Sequence, residues 1–289
     1  MKVLEKIIDI KRGQMSWLGI VAGIMVILAF GPTAIADLVW DVTAADYINT
    51  GTNQTLTHAS NYTVLWDTSH GVFLNYQPSG EFQPLVQNLA VNGFSVDTTN
   101  RGFLVDDPAG YNVIVVCLGS AHYTAYSSAE VTRIANFVNS GGGLLIMGDN
   151  TDCPNLNIQP VASSFGVSVG LDYVVPYDTY TTNLDSHAIF DGVSRIYMRA
   201  AGEISAVVPS FEVAWQEGTG MALVAVGTYG KGRVVTLGDI NIFAENEYYD
   251  RVHNRQFSIN TFEYLAVPEP ATVLLVGLGG LGLLRRCRA

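Results

Sequence analysis

Six polar residues directly follow apolar runs, and their types suit cations or sugar hydroxyls: Asp67 and His70, Asp149 and Asn150, Asp239 and Asn241. Three carboxylates at one edge of a sheet can ligate a hard cation such as calcium, or accept hydrogen bonds from a polar ligand. The competing reading is local, because an aspartate after a strand often caps the next helix or orients its loop. Ser69 precedes His70, which puts a hydroxyl beside a base. Neighbours in sequence rarely turn their side chains on one another and no third member is apparent, so nucleophilic chemistry is not favoured. His187 is read as fixing the turn before Ile189 and Phe190. Tyr173, Tyr177, Tyr180, Tyr248 and Tyr249 offer ring faces to sugars, a use that competes with ordinary packing.

Positioning these groups is the work of the apolar runs. Residues 62–66, 111–118, 144–147 and 234–237 lack polar alternation, which predicts strands covered on both faces, as in a parallel sheet. Phe82, Leu85, Val86, Leu89 and Ala90 recur at helical spacing until Gly93. Ser127-Ser128-Ala129-Glu130 is a capping box for a helix carrying Val131, Ile134, Ala135 and Val138. A short strand is expected at 94–96. The second half is richer in strands, at 167–169, 196–198, 211–215 and 221–226, with a hairpin at Tyr229-Gly230-Lys231-Gly232. A last helix over 251–265 places Ile259, Phe262 and Ala266 near one face. With no internal repeat or linker, one α/β domain spans 61–266 after a lead-in at 37–60.

A chain of 289 residues, 48% hydrophobic and 14% charged, is neither disordered nor collagen-like. Its mean hydropathy of +0.25 is high, and the excess lies at the two ends. Lys2, Lys6, Lys11 and Arg12 precede an apolar run at 17–30 that closes with Ala34-Ile35-Ala36. This predicts a signal peptide over 1–36 cleaved after Ala36, the alternative being an uncleaved anchor. Each terminal segment carries a net +2, so the whole-chain charge of -11 leaves the domain between them at -15. Such acidity excludes nucleic acid as a partner. Export permits a disulfide between Cys117 and Cys153, with a buried thiol as the alternative for Cys117.

At the other end, Val267, Pro268, Glu269 and Pro270 precede an apolar, glycine-rich stretch at 271–284, followed by Arg285, Arg286, Cys287 and Arg288. The order of motif, apolar segment and basic end resembles the PEP-CTERM sorting signal over residues 267–289. The resemblance implies that an exosortase-type membrane protease is a partner. It also implies delivery to the surface or exopolysaccharide matrix of a Gram-negative bacterium, with membrane attachment through the tail before processing. A plain C-terminal anchor is the alternative.

Within the domain, Asp67-Thr68-Ser69-His70-Gly71 is followed by Gly141-Gly142-Gly143-Leu144-Leu145 leading to Gly148-Asp149. Then come Ser186-His187 with Ile189-Phe190-Asp191-Gly192-Val193, and Tyr229 to Val235 leading to Gly238-Asp239. The set resembles the class I glutamine amidotransferase-like superfamily, more narrowly its noncatalytic ThuA-like, DUF4350-like and GIFT branch. A flavodoxin-like three-layer sandwich with a mainly parallel sheet is implied. Catalytic members carry a cysteine nucleophile in a tight turn after a central strand. Here that turn is Gly148-Asp149-Asn150, and Cys117 belongs to the preceding strand. The expectation is a noncatalytic domain that binds exopolysaccharide or surface proteins, without a cofactor unless the acids take calcium. The alternative is a carbohydrate-active or other hydrolytic enzyme using the strand-end carboxylates.

Overall fold

The computed structural model describes residues 62–122, 124–244 and 246–267. The signal segment, the lead-in and the sorting tail beyond Val267 lie outside the described residues. The central sheet has seven strands. They are β1 (Tyr62–Asp67), β2 (Phe94–Thr99), β3 (Val113–Cys117), β4 (Gly143–Met147), β9 (Ser210–Trp215), β10 (Ala222–Tyr229) and β11 (Gly232–Leu237). Between β4 and β9 lie β5 (Val167–Ser168), β6 (Asp178–Thr181), β7 (Ile196–Arg199) and β8 (Ser205–Ala206). The sheet order is β2-β1-β3-β4-β11-β10-β9. The first five strands pair in parallel and the last two antiparallel. This is an α/β fold in which the parallel part has the flavodoxin-like order.

Every residue of β3 and β4 is buried, which requires cover on both faces. Helix α1 (Gln83–Val91) packs against β2 and against α5 (Asn254–Ala266), which crosses β3, β4 and β11. Helix α2 (Ser128–Asn139) packs on α3 (Gln159–Ser164) and on β10 and β11. Trp66 has no solvent exposure and meets the Phe82 ring at 4.8 Å, so truncating it to alanine would cost roughly 3–5 kcal/mol.

Helix α2 begins in the expected capping box: Ser127 Oγ accepts from the Glu130 amide and the Glu130 carboxylate accepts from the Ser127 amide. Tyr229 pairs with Gly232 across the expected hairpin, with Gly230 at φ +62°. Three readings need correction. Strand β2 runs on to Thr99, because it is the edge strand and carries exposed Ser95, Asp97 and Thr98 that hide its pattern. Helix α5 buries far more than one face, with Asn254, Phe257, Ser258 and Thr261 as enclosed as Phe262. Strand β7 lies where a strand was expected at 196–198, but β6, which pairs with it antiparallel, was not expected.

Candidate functional site

In a parallel sheet the carboxyl ends of the strands share one edge, and there the first loop of chemistry begins. Asp67 is the last residue of β1, while Asp149 and Asp239 lie two residues past β4 and β11. Strands β4 and β11 are neighbours, whereas β3 separates β1 from β4, a spacing of about 10 Å. The six residues therefore form two groups.

The first group surrounds Asp67. Its Oδ1 accepts from the Ser69 amide at 2.8 Å, and its Oδ2 meets His70 Nδ1 at 3.1 Å and the Tyr126 hydroxyl. Ser69 Oγ also faces His70 Nδ1 at 3.1 Å, and Glu130 Oε1 lies 3.5 Å from Nε2. Tyr126 stacks on the imidazole with centroids 3.7 Å apart. Serine, histidine and aspartate do meet here, but serine and aspartate compete for the same ring nitrogen. A nucleophile-base relay needs them on opposite nitrogens. Burial pushes the Asp67 carboxyl up, but the donors His70, Tyr126 and Ser69 outweigh it and hold it below the usual carboxylate range. Gly119 lets this loop close, since a Cβ there would lie 2.4 Å from the His70 carbonyl oxygen.

The second group pairs Asp149 with Asp239. Asp149 Oδ1 accepts from both the amide and the side chain of Asn150 at 2.7 Å. Asp239 accepts from the Asn241 amide and from the Arg199 amide, each at 2.7 Å. Burial, and then the charge of Asp239, push the Asp149 carboxyl above its usual range. Burial does the same to Asp239 against the donors it holds. None of the three aspartates is an N-cap of α1, α2, α3 or α5: Asp67 and Asp239 each accept from the amide two residues on, and Asp149 from the adjacent Asn150. Among the described residues no group of three or more histidine, cysteine or acidic side chains is placed to hold a metal ion. Gly202 is required here, because a Cβ would lie 2.3 Å from the Asp149 carbonyl oxygen.

The polar residues of the second group reach a segment that sequence reasoning overlooked. Asp239 takes the Arg199 amide, Asn241 Nδ2 donates to the Arg199 carbonyl at 3.0 Å, and Asn150 Nδ2 donates to the Ala200 carbonyl at 2.7 Å. Ala200 has φ +53°, a left-handed conformation that these bonds hold in place. Asn254 makes a matching clamp two residues back along β7, bonding both the amide and the carbonyl of Tyr197 at 2.9 Å and donating to the Tyr248 carbonyl at 3.0 Å. Between these clamps the Arg199 guanidinium lies 5.0 Å from the rings of both Tyr177 and Tyr248. Tyr248 belongs to the short helix α4 (Asn246–Tyr249), and Tyr249 beside it is fully buried against Asn88 and Ser258.

Cys117 and Cys153 are both free. Burial inside β3 pushes the Cys117 thiol far up, and burial with nearby Asp149 and Asp152 pushes Cys153 up to about 12. Neither is an activated thiolate. His187 accepts from the Ile189 amide at 3.4 Å at the start of the Ala188–Phe190 turn, the local role expected of it. A concavity of about 620 Å3 beside β2 is lined by Asp97, Asp106, Asp107 and Tyr111, and no residue of either acid group lines it.

With this geometry the chain can be set beside known proteins. Residues 79–262 match the family described as "Domain of unknown function (DUF4350)", more than half of the chain. The chain belongs to the DUF4350 family. Residues 266–289 of this DUF4350 protein match the PEP-CTERM protein-sorting motif, which implies export and processing by an exosortase-type system of Gram-negative cell envelopes. Among solved structures, the DUF4350 domain is similar to the mmIFT52 N-terminal domain at TM-score 0.58 and 15% identity, covering 72% of this chain and 98% of that one. Two cytoplasmic proteins of Salmonella typhimurium are also similar. STM3548 has TM-score 0.53 and 15% identity, covering 71% and 99% of the two chains. STM1381, from strain LT2, has TM-score 0.52 and 18% identity, covering 71% and 100%. At these identities the likeness concerns the fold alone. No curated protein matches this chain.

Proposed function

We propose that this protein is a noncatalytic binding domain of the cell surface or extracellular matrix, descended from an amidotransferase-like ancestor. One observation carries the reading: the turn after β4, where a nucleophile would stand, holds Asp149 and Asn150, and both spend their side chains on bracing the surrounding loops. Asp149 is 3% exposed and Asp239 fully enclosed, so neither carboxyl reaches a substrate. That burial also argues against the hydrolytic alternative, although raised carboxyls are what a general acid needs. The edge is then a stiff platform, and the PEP-CTERM motif supports its display outside the cell.

The test measures retention of the purified full chain on cell-free exopolysaccharide of its own producer, alongside glutamine hydrolysis. Retention with no release of ammonia is expected. Ammonia release that Asp149→Asn abolishes would overturn the noncatalytic reading. Repeating the thermal melt with calcium tests the acid pair as a cation site, where a calcium-dependent rise absent from Asp149→Asn would establish one.

A further inference from the structure

Arginine and tyrosine side chains alternate along the β6–β7 ribbon and onto α4. Arg195 sets its guanidinium 5.4 Å from the Tyr180 ring centroid, and Tyr180 packs on Tyr197 at 4.8 Å. Arg251 lies 5.0 Å from the Tyr197 ring and donates to the Tyr180 hydroxyl at 3.0 Å. Tyr197 stacks on Tyr248 at 6.1 Å, and Arg199 follows between Tyr248 and Tyr177. Tyr197 at the middle of this row is buried and Arg199, Arg251 and Tyr248 are half-buried, but its ends are open: Tyr180 is 40% and Tyr177 49% exposed, and Arg195 is exposed.

Charge sets the row apart. The domain with net charge -15 has eight basic residues, and Arg195, Arg199 and Arg251 gather here. Within the row Arg199 meets Asp178 only loosely, at 3.9 Å, and Asp178 also accepts from the Tyr197 hydroxyl. The guanidinium groups gathered on this face favour a partner that carries negative charge. The rings narrow the choice further. A sugar offers flat C–H faces to tyrosine and a ring carboxylate to the planar guanidinium fork, whereas an anionic peptide chain offers the charge alone.

We propose that this arginine-tyrosine row binds an acidic polysaccharide whose sugar rings carry carboxylates. The proposal rests on the reading of the domain as a binding module and names its ligand class. Asp239, Asn241 and Asn254 act as positioning residues, because their bonds to the Arg199, Tyr197 and Tyr248 backbones hold the row before any ligand arrives. Binding then loses less side-chain freedom.

The experiment is affinity electrophoresis of the detergent-solubilised full chain through gels containing polygalacturonate, dextran or polyglutamate. Polygalacturonate should retard it at least about tenfold more strongly than dextran, and less so as salt rises. Arg195→Ala and Tyr180→Ala, both at open positions, should each weaken retardation about three- to fivefold, with Arg195→Lys between them and the parent. Arg133→Ala on α2 should match the parent, and circular dichroism checks that each variant folds. Polygalacturonate binding that survives Arg195→Ala and Tyr180→Ala overturns the row while the binding reading stands. Equal retardation by polyglutamate overturns sugar recognition. No retardation by any of the three overturns the proposal, and if the producer's own exopolysaccharide also fails to retain the chain, the binding reading falls with it.

Discussion

At the end of β1 a buried carboxylate is ringed by donors, while at the ends of β4 and β11 two buried carboxylates lie beside each other. Asp67 receives His70, Tyr126 and the Ser69 amide, and its carboxyl is held low. Asp149 and Asp239 receive backbone and amide donors of no net charge, and each is raised by burial, Asp149 by its partner's charge as well. The residue type and the place in the fold are the same. What differs is whether side-chain donors converge on the acid, as the His70 ring and the Tyr126 hydroxyl do on Asp67, and that decides whether it stabilises the fold as an anion or strains it.

The largest effect expected from breaking this contrast is Asp67→Ala. It leaves the Tyr126 hydroxyl, His70 Nδ1 and the Ser69 amide without their shared acceptor in a buried site. A loss of about 3 kcal/mol in urea unfolding at pH 7 follows. A loss below about 1 kcal/mol would mean that water replaces the carboxylate and that the site is open.

That network shows where sequence reading stops. The strands were legible because β1, β3, β4 and β11 are apolar on both faces, and the capping box because its two members are three residues apart. The partners of Asp67 were not legible, since Tyr126 is 59 positions away and Glu130 was already explained as a cap. The β6–β7 ribbon was hidden for another reason: Asp178-Thr179-Tyr180-Thr181 alternates exposed and buried with polar residues on both faces, so hydrophobic periodicity is silent there. Its tyrosines were noticed as rings, but the arginines between them are brought by the end of β7, by the residue before it and by the turn between α4 and α5. Likewise the acids after β1, β4 and β11 were read as one group at a shared edge, whereas the strand order leaves only those after β4 and β11 on neighbouring strands, and their service to the Arg199 backbone depends on the end of β7, whose partner β6 no pattern announced.

A second, intermediate effect separates the two regions by pH. Asp67 has a lowered folded pKa, so its stabilisation is present above the ordinary carboxylate value, about 4, and is lost as pH falls through the folded one. Asp149 and Asp239 have raised folded pKa values, so their contribution is intact below about 4 and is lost as pH rises through the folded values. Asp149→Asn removes that loss but puts an amide N–H where a carboxylate oxygen accepted. It should therefore be about 1 kcal/mol less stable than the parent at pH 5 and equal or more stable at pH 8.5. Melting curves at both pH values test the crossing. Parallel losses at the two would show that the pair is not electrostatically strained.

The smallest effect sharpens the comparison at Glu130, which serves two elements at once. Its Oε2 accepts from the Ser127 amide at 2.8 Å and from the Ser127 hydroxyl at 2.7 Å, while its Oε1 faces His70 Nε2 at 3.5 Å. Glu130→Gln keeps an oxygen for the cap and removes only the charge beside the imidazole, so it should cost a few tenths of a kcal/mol. Glu130→Ala removes both and should cost about 1 kcal/mol. The ratio carries the information. If glutamine costs as much as alanine, the carboxylate acts mainly on His70, and the loss should shrink in a His70→Ala background, because a double-mutant cycle isolates that coupling. If the cost is unchanged in that background, the 3.5 Å approach is only proximity, and Asp67, Ser69 and Tyr126 hold the histidine without it.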